Sequence, residues 1–212
     1  IPPILENLAQ YPYLSSWFPP DLASIQDMKS GAKQIRALGR LSYYLGYGAV
    51  KDAVAAKIKQ VTDRDGAARM LDRHGINVDS GVNVFVVASL CGGTGSGMFL
   101  DLAYGLKKWF KYDGLTGEIN GLFMLPGAFV GVSDRIKANA YAALKELNHH
   151  MGMGRAEGAR FQAQYTSNPL DTVDESGSPF SFCYLIGDQN KVVDSARVTD
   201  LQEMIAQKIA LE

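Results

Sequence analysis

Gly92-Gly93-Thr94-Gly95-Ser96-Gly97 stands between an apolar stretch, Val84 to Leu90, and a segment of helical periodicity that begins near Met98. Strand, glycine-rich turn and helix together suit the holding of phosphate. Glycine leaves no side chain between a ligand and the backbone, successive N–H groups at a helix mouth are donors, and the helix dipole puts its positive end there. One or two glycines suffice for a tight strand-to-helix turn. Four in six residues argue for close approach by a ligand.

The flanking residues narrow the kind of loop. The phosphate loop of the common nucleoside triphosphatases requires Gly-x-x-x-x-Gly-Lys-Ser/Thr, and here Met98 and Phe99 follow the glycines. The dinucleotide fingerprint Gly-x-Gly-x-x-Gly fails in register, and the acid it places roughly 20 residues on, at the end of the next strand, is replaced by Leu125-Pro126. A dinucleotide-dependent enzyme is therefore disfavoured. So is a serine hydrolase, because Ser96 lies in Thr-Gly-Ser-Gly-Met and not in a nucleophile elbow.

Outward from the loop, Leu100, Ala103, Leu106, Trp109 and Phe110 mark the buried side of a helix that ends near Lys111 and turns at Asp113-Gly114. Ile119 to Leu125 reads as a second buried strand. Ser133 caps a long helix with core face Ile136, Ala140, Leu144, Leu147 and Met151. Gly152 to Pro179 reads as loop, Phe182 to Ile186 as a third strand, and Thr199 with Gln202 as a capping box opening a last helix. Upstream, residues 1–30 form an irregular segment packed by Trp17, Phe18 and prolines. Ala32 to Gln60 reads as two helices or one helix broken at Gly46 and Gly48, and a short helix is expected around Ala67 to Asp72. The alternation predicts an α/β fold: a Rossmann-like, mainly parallel sheet with helices on both faces. Ligands of such sheets bind beyond the carboxyl ends of the strands, so the loops after Leu90, Leu125 and Ile186 should converge on one site.

The chain has 212 residues, 47% of them hydrophobic and 20% charged, with net charge −1. That is enough for one α/β core. Lysines and arginines are scattered among acids, so direct binding of nucleic acid has no electrostatic footprint. Cys91 and Cys183 read as small buried hydrophobes, with no disulfide framework or metal cluster. No signal peptide or membrane segment is evident, which makes the cytoplasm the expected compartment. Adjacent His149 and His150 lack the i, i+4 spacing of a shared metal site and read, at a helix end, as charges on the dipole; His74 carries no motif.

Gly-Gly-Thr-Gly-Ser-Gly after an apolar strand resembles the signature of the tubulin and FtsZ superfamily, and the chain looks like a bacterial tubulin-like member. Cys91 stands where the family carries Gly, Ala or Ser. The resemblance implies that Gly92, Gly93, Thr94, Gly95, Ser96 and Gly97 hold the phosphates of GTP or GDP, with Mg²⁺. It implies that Ser30, Gly31 and Ala32, leading into a helix, sense the terminal phosphate. Ser133 and Arg135 fall in the segment that touches ribose and α-phosphate, although Val130 occupies the place of an FtsZ glutamate. Asp188 or Asn190 would contact ribose or guanine. Gln202 matches the Asn or Asp that pairs with the guanine edge, or is simply the capping-box residue, and Val198 replaces a stacking aromatic. Arg36 and Arg40 face either the phosphates or, as the favoured reading, solvent.

By the same resemblance residues 1–212 form a single nucleotide-binding (GTPase) domain, an excerpt lacking the family's first strand and its C-terminal half with the catalytic acid. No catalytic residue is expected within this stretch. The intact protein would assemble head to tail into cytoskeletal filaments and hydrolyse GTP there. The alternative is a scaffold of the same fold that binds nucleotide and hydrolyses nothing.

Overall fold

The computed structural model describes residues 2–22, 31–62, 64–75, 81–129, 131–152, 159–188 and 197–211. Two short helices come first, α1 (Pro2–Glu6) and α2 (Pro12–Ser15), followed by α3 (Arg36–Val61) and α4 (Arg64–His74). Then come β1 (Val84–Ser89), α5 (Thr94–Asp113), β2 (Ile119–Met124), α6 (Asp134–His150), β3 (Phe161–Gln164), β4 (Thr172–Glu175), β5 (Phe182–Ile186) and α7 (Val198–Leu211).

β1, β2 and β5 form a parallel sheet with β2 in the centre, in the register Ser89↔Met124↔Ile186, so these three residues line up at the carboxyl ends. Every residue of β2 is buried, as a strand covered on both faces requires. On one face Ile119 and Phe123 pack with Phe99, Ala103 and Leu106 of α5, Tyr43 and Tyr47 of α3, and Leu147 of α6. On the other, Leu122, Met124 and Ile186 pack against Leu201 and Ile205 of α7. The expected α/β architecture with helices on both faces is the one the chain adopts.

Four local expectations need correction. α3 runs unbroken through Gly46 and Gly48. A helical glycine costs about 1 kcal/mol relative to alanine, and burial of Tyr43 and Tyr47 in the same helix outweighs it. α5 starts at Thr94, four residues before the expected point, with Gly95 and Gly97 inside its first turn. α7 begins one residue before Thr199: the Arg197 carbonyl accepts from Leu201 N, and Asp200, not Gln202, reaches back to the Arg197 N–H at 3.1 Å. Finally, part of the stretch read as loop is an antiparallel hairpin, β3 with β4, whose alternate residues Phe161, Ala163 and Val173 are buried. Between its two strands Tyr165 stacks on Tyr47 with ring centroids 4.3 Å apart.

The ends of α5 and α6 follow the sequence reading. Gly114 takes the left-handed conformation after α5, φ 64°, which favours glycine. Ser133 caps α6, its Oγ accepting from Ile136 N at 3.4 Å. His150, read as a dipole charge, is instead a packing group: its Nδ1 lies 3.0 Å from the Tyr104 hydroxyl, and its ring meets Phe161 edge on. Burial, then the adjacent His149, holds this imidazole below its usual range. Its folded pKa lies under the unfolded one, so its contribution to stability is full above the unfolded value of roughly 6.5 and is lost as pH falls from there towards the folded value. Melting curves followed by circular dichroism between about pH 7.5 and 5.5 should decline less for His150→Gln than for the wild type. Identical declines would remove His150 from the account.

Candidate functional site

The glycine loop sits where the sheet topology places it, directly after the carboxyl end of β1. Its glycines divide into two kinds. A Cβ on Gly93 would come within 2.6 Å of Ile35 N and 2.8 Å of the Ala32 Cβ. On Gly95 it would lie 2.7 Å from the Ser89 carbonyl oxygen, and on Gly97 2.2 Å from that of Arg36. These three glycines let the loop and the first turn of α5 press against β1 and the start of α3. Gly92 differs: a Cβ there would meet no atom within 4 Å, so Gly92 faces open space. The first N–H groups of α5 have no acceptor further back in their own helix, and the positive end of its dipole lies at the same place. This mouth can take an anion.

Side chains around the loop mostly hold it in shape. Ser96 is fully buried, and its hydroxyl donates to the Gly92 carbonyl; Thr94 is exposed at the first position of α5. Arg36 and Arg40, for which solvent was the favoured reading, both turn inward. The Arg36 guanidinium donates to the Ser96 carbonyl through Nε at 3.2 Å and Nη2 at 2.8 Å, and pairs with Glu146. Arg40 Nε lies 3.2 and 3.1 Å from the two carboxylate oxygens of Asp101, and its Nη2 donates to the Tyr13 hydroxyl at 2.9 Å. The same guanidinium lies over the Trp17 ring, 4.7 Å from its centroid.

Neighbouring loops close round the same end of the sheet. Ala32 is buried against Gly93, and Gly31 is exposed with φ 85°. Ser133 and Arg135 are exposed at the amino end of α6. Asp188, just past β5, points at the loop after β2: its Oδ1 would lie 2.0 Å from a Cβ on Gly127. Gln202 is exposed on α7 and borders a depression of about 380 Å³ with Val87, Ser89, Met124 and Ile205. Ser30, Val130 and Asn190 lie outside the described residues. Cys91 is buried and Cys183 half-buried, both as free thiols; burial pushes the Cys183 thiol up to about 12.

Two residues of this neighbourhood escaped the sequence reading. Gly39, in the first turn of α3, is where a Cβ would fall 2.0 Å from the Gly93 carbonyl oxygen. Asn139 of α6 donates through Nδ2 to the Gln34 carbonyl at 2.9 Å and the Cys91 carbonyl at 3.1 Å. A glycine inside a strong helical pattern was the available signal for the first. For the second there was none, since an asparagine on a helix face reads as solvent-exposed.

Beside this arrangement of parallel strand, glycine-rich loop and helix mouth stands the comparison with known families, in which a model described as tubulin like covers residues 3–212. The chain belongs to the tubulin-like family. No curated protein and no solved structure matches it. As a tubulin-like domain it presents its glycine-rich loop at the carboxyl end of β1, with the turn before α3, the start of α6 and Asp188 after β5 gathered at the same end of the sheet. Among the described residues no helix of this tubulin-like chain is long and apolar enough to cross a membrane.

Proposed function

We propose that this tubulin-like domain binds a guanine nucleotide, and that the intact protein is a cytoplasmic GTPase that stacks head to tail into filaments. The observation that carries the reading is the open approach to Gly92 at the mouth of α5. In this reading the backbone N–H groups of Gly92, Gly93, Thr94 and Gly95 receive the phosphates, assisted by the exposed Thr94 hydroxyl. Ser96 and Gly97 act through the shape they give the loop. Gly31 and Ala32, with Ser30 before them, wall the far side. Arg135, beside Ser133 at the start of α6, adds positive charge, Asp188 or Asn190 takes the ribose, and Gln202 pairs with the base edge from α7.

Among the described residues no group of three or more His, Cys, Asp or Glu could hold a metal ion. Mg²⁺ in this reading therefore arrives with the phosphates, where it neutralises the charge that develops in phosphoryl transfer. Head-to-tail contacts between unlike surfaces propagate as open filaments when their rotation does not close a ring, and in this reading a neighbouring subunit of the filament completes the hydrolytic site. The amide of Gln202 and the inward-turned Ser96 hydroxyl favour a second reading, a scaffold that binds nucleotide without turning it over.

The test is to denature the purified protein and identify the nucleotide it releases by chromatography, then to measure pelleting and phosphate release with GTP across protein concentrations. GDP or GTP in the supernatant, and release that rises more steeply than protein concentration, are the expected results. Bound nucleotide with no phosphate release selects the scaffold, and recovery of no nucleotide overturns both readings.

A further inference from the structure

We propose that Asn139 is a positioning residue of the phosphate cradle, acting through the peptide that precedes Gly92 and through the turn that precedes α3. The inference rests on the nucleotide-binding reading above. An amide nitrogen carries two N–H groups, and Asn139 Nδ2 spans two carbonyls from separate segments, Gln34 at 2.9 Å and Cys91 at 3.1 Å. The opposite amide orientation would set Oδ1 against two carbonyl oxygens, so the partners dictate which way the group faces.

Each carbonyl matters for a different reason. The Cys91 C=O and the Gly92 N–H belong to one planar trans peptide and point in opposite directions. Holding the carbonyl towards α6 therefore aims the Gly92 N–H away from α6, at the glycine of the loop that faces open space. Without the bond this peptide, followed by an unhindered glycine, is free to rotate and the donor is lost from the cradle. The Gln34 carbonyl ends a turn in which Lys33 and Gln34 hold φ of 48° and 60°, a region non-glycine residues disfavour. That turn leads directly into Ile35, whose backbone fits against Gly93. One side chain on α6 thus pins both walls of the cradle in their binding shape, and preorganisation of this kind is worth affinity.

The experiment measures GDP binding by calorimetry on the intact protein, wild type, Asn139→Asp and Asn139→Gln, at about pH 8 and about pH 5.5, with melting of the nucleotide-free proteins as control. The aspartate has the same shape but, ionised, sets oxygens against both carbonyls; protonated, it regains one donor. N139D should bind GDP about tenfold or more weakly than wild type at the higher pH, as the loss of both hydrogen bonds and the facing of a carboxylate against two carbonyls predict, and recover part of that loss at the lower pH, where wild type sets the baseline. N139Q should fall between. Unchanged affinity in N139D overturns the proposal, as does a loss that ignores pH and follows a lowered melting temperature. Failure of the wild type to bind GDP is a separate result, which removes the nucleotide reading and this inference with it.

Discussion

Alanine at Gly39 should cost the protein about 3 kcal/mol or more and, in the nucleotide-binding reading proposed above, abolish binding with it. The added methyl would sit 2.0 Å from the Gly93 carbonyl oxygen, 2.8 Å from its carbon and 2.9 Å from the Thr94 Cα. All three are backbone atoms, so no side-chain rotation relieves the clash; α3 must move off α5 and take the loop's shape with it. Overpacking of a tight core typically costs 1–3 kcal/mol even where side chains can yield, so a backbone-limited contact belongs at or above that range. Gly92→Ala is the control, because its methyl meets no atom within 4 Å and its φ is not positive. Urea unfolding should show a large fall in midpoint for Gly39→Ala and almost none for Gly92→Ala, while GDP binding should fail in both. Equal midpoints for Gly39→Ala and wild type would show that the two helices are not packed this closely.

That contrast bears on what the sequence could reveal. The loop, its strand and its helix were legible because four glycines between two apolar patterns are rare without a purpose. What the glycines are for was legible only in part. From sequence all of them read as room for phosphate; in the folded chain Gly93, Gly95 and Gly97 make room for Ile35, Ser89 and Arg36, and only Gly92 is left facing open space. Close approach between backbones leaves no trace in periodicity, because the partner residue can be of any type.

The hairpin was hidden for a different reason. β3 and β4 have four residues each, too few for alternation to rise above the Gly, Ser, Asn and acidic residues around them. Their strand state comes from outside. Tyr165 stacks on Tyr47 of α3, and Lys107 and Lys108 of α5 donate to carbonyls on both sides of β4, Ser176 and Ser178 beyond it and Leu170 and Thr172 at its start. The inward turn of Arg36 and Arg40 was hidden likewise. Arginines one turn apart on a helix normally mark a solvated face, and here their partners, the Ser96 carbonyl and Asp101, lie on another helix about 60 residues later in the chain.

The Arg40–Asp101 pair supplies the second large effect. The Asp101 side chain is 4% exposed and that of Arg40 27%, and the Tyr165 hydroxyl donates to Asp101 Oδ1 at 2.7 Å. Burial pushes the Asp101 carboxyl above the usual range, while Arg40 and the Tyr165 hydroxyl pull it back. Arg40 Nε within reach of both oxygens, and the phenol on one of them, is the arrangement of a carboxylate, so the pair is ionised at neutral pH. Arg40→Ala strands that carboxylate and should cost about 3–5 kcal/mol, the range for breaking a buried ion pair from one side. The sign of the pH dependence follows. A folded pKa above the unfolded one means the folded state holds more protons between the two values, so stability falls as pH rises across that window. Removing Arg40 carries the upper edge of the window higher, and the variant should therefore lose less relative to wild type at about pH 5 than at about pH 8. Asp101→Asn, which leaves the part-exposed Arg40 with Tyr13 and Trp17, should lose less than Arg40→Ala, and the double replacement Arg40→Met with Asp101→Leu less again, since no charge is then buried alone. Urea unfolding of the four proteins at both pH values measures all of this. If Arg40→Ala unfolds at the wild-type midpoint, the pair is not what joins the amino-terminal segment and the hairpin to α3 and α5.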